Sequence, residues 1–109
     1  MDTYPARGRA IEIDFGEDGP FGPFAAQLTF AADADSLSFV VTRGSLEGKA
    51  ETCDYRATRI GDGVWFVHWR EADGLTVVQA QDFNRGTLSS AVTTPDHELV
   101  QLDGTLRIL

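Results

Sequence analysis

The stretch Val64-Trp65-Phe66-Val67-His68-Trp69-Arg70-Glu71 decides how this chain is read. Side chains alternate between the two faces of a strand, so Trp65, Val67, Trp69 and Glu71 share one side and Phe66, His68 and Arg70 the other. The first face is apolar up to a carboxylate at the strand end, which is the pattern of a strand with one side turned toward a core. No helical period fits the same residues. Gly61-Asp62-Gly63 precedes the run and Asp73-Gly74 follows it. Both are turn sequences, able to take positive φ or to bond their own backbone.

The same alternation recurs on either side. Strands are predicted at Ala10–Phe15, Ala25–Phe30, Ser36–Thr42, Thr52–Ile60, Val64–Arg70, Leu75–Phe83, Thr87–Thr93 and Leu99–Ile108. Asp33-Ala34-Asp35 and Asn84-Arg85-Gly86 supply further tight turns. Such short connections force antiparallel neighbours, because a parallel crossover needs about a dozen residues or more. The chain is therefore all-β, an antiparallel up-and-down meander of about eight strands. A meander of that size can close into a barrel, which removes exposed edges and leaves room for one small ligand. A two-sheet sandwich fits the same spacing. Gly16 to Pro23 lacks strand character, and its prolines and glycines deny it a ladder. With Phe21 inside it and Phe24 just after it, the segment reads as a loop folded over one end of the barrel, or as a long surface hairpin.

Composition narrows the functional classes. At 109 residues the chain makes one domain, 1–109, with 42% hydrophobic residues. Nine Lys and Arg stand against 17 Asp and Glu, a formal charge of −8 that repels phosphate backbones and argues against a nucleic-acid partner. The longest clearly apolar run, Val64–Val67, is far short of the roughly 20 residues of a bilayer helix, so no membrane partner is expected. One cysteine, Cys53, cannot form an internal disulfide, and Met1-Asp2-Thr3-Tyr4-Pro5 has neither a basic nor an apolar leader region. Together these predict a cytoplasmic location. His68 and His97 lie far apart, without H-x-x-x-H or C-x-x-C spacing, so neither a metal nor a cofactor is expected. There is no G-x-S-x-G nucleophile motif.

Two ionisable residues stand out. If the indole face of Val64–Arg70 points into a barrel, Glu71 sits at the rim of an aromatic-lined cavity, where burial suits a carboxyl group to giving or taking a proton. Otherwise it is a solvated residue opening the Glu71-Ala72-Asp73-Gly74 turn. Lys49, the only lysine, lies on the glycine-flanked stretch Arg43-Gly44-Ser45-Leu46-Glu47-Gly48-Lys49. It either reaches the polar group of a ligand or is a plain surface charge. Trp65, Val67 and Trp69 are expected to line the cavity, with Phe21 and Phe24 lining or capping it.

The stretch from Tyr55 to Val92, with Gly63-Val64-Trp65-Phe66-Val67-His68-Trp69-Arg70-Glu71 at its centre and Asp82-Phe83 closing the following strand, resembles the MoaF-like families. A similar pattern occurs in bacterial phenolic acid decarboxylases, and both imply a lipocalin-like (calycin) barrel. The resemblance spans about residues 25 to 93. It aligns Glu71, in Trp69-Arg70-Glu71-Ala72, with the decarboxylases' cavity glutamate, and Lys49 with their cavity arginine. Lysine keeps the charge there and loses the bidentate fork. The first strand, Ile11-Glu12-Ile13-Asp14-Phe15, has no counterpart of the decarboxylases' Tyr-x-Tyr pair. The MoaF name also implies a link to molybdenum cofactor synthesis.

Three functions follow as expectations. The first is binding of a small apolar or aromatic molecule in the barrel lumen, with Glu71 and Lys49 orienting its polar groups. The second is a cofactor-free lyase or isomerase in which Glu71 is the general acid/base and Lys49 assists. The third is a structural or interaction protein with a filled barrel, acting through its outside, as a homodimer or on another partner.

Overall fold

The structure, a computed structural model, describes residues 3–109. Eight strands follow one another: β1 (Ala10–Asp14), β2 (Ala25–Phe30), β3 (Ser36–Arg43), β4 (Ala50–Gly61), β5 (Val64–Arg70), β6 (Thr76–Asp82), β7 (Thr87–Thr93) and β8 (Leu99–Ile108). Each pairs antiparallel with the next, and β8 returns to β1 through pairs such as Ile11↔Ile108 and Ile13↔Leu106. The meander is thus a closed barrel rather than a sandwich, with every strand paired on both sides. No helix among the described residues is long and apolar enough to cross a membrane.

Alternation sets the inside. Along β5, Trp65, Val67 and Trp69 are buried while Phe66, His68 and Arg70 are exposed. The same parity turns Leu37, Phe39 and Val41 of β3 inward, and Val77, Gln79 and Gln81 of β6. A one-residue slip in any pair would exchange these faces, so the hydrophobic pattern fixes the register. Gly104 marks a close approach across the closing seam. A Cβ there would collide with the carbonyl oxygen of Asp14, so only glycine lets β8 pass β1 at this point.

The two ends of the barrel differ. At one end the segment before β1 folds across the opening and inserts Tyr4, only 5% exposed. Its ring lies 5.1 Å from Phe30, 5.5 Å from Trp65, and 5.8 Å from both Tyr55 and Phe83, mostly edge to face. Edge-to-face contacts of this kind add to the burial of the rings themselves. The Tyr4 hydroxyl donates to Gln81 Oε1 at 2.6 Å, and Arg7 ties the segment to Asp35 at 2.8 Å. This end is packed shut. The opposite end is formed by the β1–β2, β3–β4, β5–β6 and β7–β8 connections, and there the interior opens.

Candidate functional site

Behind the open end lies a cavity of about 190 Å³. Its walls are apolar, with the rings of Phe15, Phe24, Phe39 and Trp69 set among aliphatic side chains such as Val77 and Leu102. An engineered apolar cavity of roughly 150 Å³ holds benzene, so this one has room for a single ring with a short substituent. The barrel is filled at the Tyr4 end and hollow at the other. A wholly filled interior, as the structural reading required, is not what the structure has.

Four connections build the mouth. The β1–β2 segment continues the hairpin for one more step, with the Phe15 amide donating to the Phe24 carbonyl at 2.9 Å, before turning through Gly19 to Gly22. It is therefore a hairpin whose tip leans over the opening. Phe15 and Phe24 stack at 5.5 Å, and Phe21 meets Phe24 edge to face at 6.3 Å. Phe21, 40% exposed, is the outermost ring of the wall. The β3–β4 connection packs on this hairpin so closely that a Cβ at Gly44, which has φ +109°, would strike the Pro23 carbonyl oxygen. Only glycine suits both the backbone angle and the contact. Leu46 and Lys49 extend from this connection over the cavity.

The β5–β6 turn sets the carboxylate. The Glu71 amide donates to the Leu75 carbonyl at 2.8 Å and the Gly74 amide to the Glu71 carbonyl at 2.9 Å, fixing Glu71 at the top of β5. Its side chain, continuing the parity of Trp65, Val67 and Trp69, is 9% exposed and forms part of the cavity wall. Lys49 Nζ donates to Glu71 Oε1 at 2.9 Å and approaches Asp73 Oδ2 at 3.9 Å. Chiefly the hydrogen bond to Glu71, helped by the nearby charges of Asp73 and Glu51, raises the Lys49 pKa against the opposing effect of burial. Glu51 stays at the rim because its Oε1 accepts from the Ala72 amide at 2.5 Å. Three carboxylates thus surround one ammonium at the opening.

Glu71 and Lys49, both expected to face a ligand's polar groups, meet in the fold as a direct ion pair across 22 residues of chain. Trp69, Phe21 and Phe24 stand in the cavity wall. Trp65 and Val67, expected beside a ligand, point inward but lie outside the cavity wall. The reason is the Tyr4 segment, which occupies the half of the lumen that Trp65 faces. The indole N–H of Trp69 is buried without a hydrogen-bond partner, sealed within the wall.

The inner end of the cavity holds a feature the sequence reading missed. Gln79 and Ser90 line it, and a chain of hydrogen bonds runs from them to the plug. Gln81 Nε2 donates to Gln79 Oε1 at 2.8 Å, and Gln79 Nε2 reaches Ser90 Oγ at 3.5 Å, a long contact. Three polar side chains with essentially no exposure are uncommon in a barrel interior unless they are paired, and these are. The period of two along β6, which puts Gln79 and Gln81 on the side of Val77, was the available signal. Cys53 is buried beneath the rim, where burial first and the charge of Glu51 second push its thiol up to about 11. Among the described residues, no group of three or more His, Cys, Asp or Glu side chains is arranged to hold a metal ion.

Comparison with known proteins adds two findings. The MoaF-like family model matches residues 8–107. A solved structure from Burkholderia vietnamiensis, provisionally described as a beta-lactamase, superposes with a TM-score of 0.87 at 24% identity over 100% of both chains. At that identity the likeness speaks for the shared fold alone. Comparison with curated proteins gives no match.

Proposed function

Starting from the chain's membership of the MoaF-like family, shown by a match over residues 8–107, we propose that the barrel binds a small, largely apolar or aromatic molecule in its half-open lumen. The observation that carries this reading is the cavity of about 190 Å³, walled by aromatic and aliphatic side chains and reached past the Glu71–Lys49 pair. Ligand sites of this type combine an apolar body with a few placed polar groups. Here Gln79 and Ser90 offer hydrogen bonds at the inner end, and the charged rim supplies the polar contacts at the mouth.

Titration with 2-phenylethanol, followed by tryptophan fluorescence and by chemical-shift changes of Trp69 and Val77, tests the reading. Saturable binding is expected, and Ala26→Phe, which puts a ring into the cavity, should abolish it. Lack of saturation up to about 10 mM, where Kd corresponds to less than 3 kcal/mol of affinity, would overturn it. The second reading, a cofactor-free lyase or isomerase, draws on the burial of Glu71 in the cavity wall. It requires that Glu71→Gln keep the ligand and lose turnover.

A further inference from the structure

The charge of this protein is distributed unevenly along the barrel axis. The connections and strand ends at the mouth, residues 14–24, 43–51, 71–76 and 93–99, carry nine carboxylates against two cations, Arg43 and Lys49, a net of −7. The plugged end, residues 3–9, 31–35, 59–63 and 82–86, carries four arginines against four aspartates and is neutral. Nearly all of the formal −8 is therefore gathered around the entrance to the cavity.

Both mouth cations are already engaged. Arg43 lies 2.8 Å from Asp14 and 3.6 Å from Glu17. Lys49 lies 2.9 Å from Glu71 and 3.9 Å from Asp73. An anion arriving at Lys49 would have to displace Glu71 while standing close to Asp73 and Glu51, so the single lysine does not make an anion site. For a cation the situation reverses. The one described hydrogen bond to the Glu71 side chain goes to Oε1, and Glu71 itself forms part of the cavity wall. Independently of the acids, the rings of Phe15, Phe24, Phe39 and Trp69 stand among the aliphatic side chains that line the space just inside, and an organic cation near an aromatic ring is attracted by the ring's quadrupole. An opening with so large an excess of one sign of charge also concentrates ligands of the opposite sign.

We infer that the ligand is an organic cation: a small ammonium compound whose single ring or short branched alkyl body fills the cavity and whose charged nitrogen stays at the rim among Glu71, Asp73 and Glu51. This rests on the lumen-binding reading proposed above and adds the charge of the ligand to it. The apolar walls take the ring or alkyl body and the carboxylate rim takes the nitrogen, so the two ends of such a molecule match the two halves of the site.

Three probes of one shape separate this inference from the reading it rests on: 2-phenylethylamine, 2-phenylethanol and phenylacetate, which are cationic, neutral and anionic at pH 7. Calorimetric titration of the full chain at low salt should show the amine binding about tenfold tighter than the alcohol and the acid about tenfold weaker, the effect of a unit charge near a few uncompensated carboxylates. About 0.5 M salt should erase most of the difference. In the double variant Glu51→Gln/Asp73→Asn, both replacements keep the oxygen that accepts the Ala72 and Leu75 amides, and the amine-over-alcohol ratio should fall about fivefold. If the alcohol binds and the amine binds no tighter, or if the acid binds best, the cation inference is wrong and lumen binding stands. If none of the three binds, both fail.

Discussion

Replacing Lys49 by Met removes the one ammonium that faces three carboxylates. Glu71 is left 9% exposed, with Asp73 and Glu51 close by and no countercharge. Breaking a fully buried pair from one side costs about 3–5 kcal/mol, whereas exposed pairs are worth about 0–1 kcal/mol. Lys49 is 32% exposed and the mouth is open to water, so this pair falls between the limits and Lys49→Met should cost about 2–3 kcal/mol. Glu71→Gln is the gentler change. Gln keeps an oxygen that can accept from Lys49, which also retains Asp73 at 3.9 Å, so about 1 kcal/mol is expected. The double variant leaves neither an orphaned acid nor an orphaned base in the wall. It should therefore cost less than the sum of the single changes, by about 1–2 kcal/mol. Urea unfolding of the four proteins at pH 7 measures the cycle. Should Lys49→Met prove milder than Glu71→Gln, or the coupling fall below about 0.5 kcal/mol, the burial argument for this pair is wrong.

Three other consequences are open to direct measurement. Tyr4→Phe keeps the aromatic plug and leaves the buried Gln81 Oε1 without its 2.6 Å donor, so a loss of about 1–2 kcal/mol is expected in chemical denaturation, against about 3–5 kcal/mol for Tyr4→Ala. A Tyr4→Phe protein as stable as the parent would mean the hydroxyl contributes nothing net. Stability should decline in alkali: Cys53 is pushed up from 9.0 to about 11, burial raises Tyr4, and the bond to Glu71 raises Lys49. For each group the unfolded chain loses its proton first, so the contribution is complete below the unfolded value and is lost as pH climbs through the folded one. Thermal melts should be flat from pH 7 to about pH 9 and fall above it, and Cys53→Ser should soften the first part of that fall. Gly44→Ala should weaken 2-phenylethanol binding and broaden the Phe21 and Phe24 resonances, because its methyl group pushes on the Pro23 carbonyl. Unchanged spectra would show that the hairpin yields without moving its rings.

Local pattern and tertiary placement divide the site between them in a way the residues make plain. The inward side of β5 was readable because its period of two is uninterrupted from Trp65 to Glu71, and a strand in a closed barrel has only two sides to choose from. Strand limits moved by a residue or two in both directions: β4 begins at Ala50 rather than Thr52 because the turn from Gly44 to Gly48 is compact, while β1 ends at Asp14 rather than Phe15 and β6 covers Thr76–Asp82 rather than Leu75–Phe83. Trp65 and Trp69, chemically alike and on one face, ended in different surroundings. One packs against Tyr4 and the other borders the cavity. Nothing within the strand distinguishes them, since the difference comes from a segment about 60 residues earlier in the chain.

By itself, the amino-acid order determined the all-β class, the antiparallel succession of hairpins, which side chains turn inward, and the acidity of the whole. Each of these is a property of neighbours along the chain: alternation, turn chemistry and charge count. Only the closed three-dimensional arrangement decided that the barrel is plugged at one end and hollow at the other, that Lys49 meets Glu71, and that the carboxylates collect around the entrance. Those depend on strands that are remote in sequence arriving at the same end of the barrel. A contact of that kind is set by how the sheet closes and not by any short stretch within it.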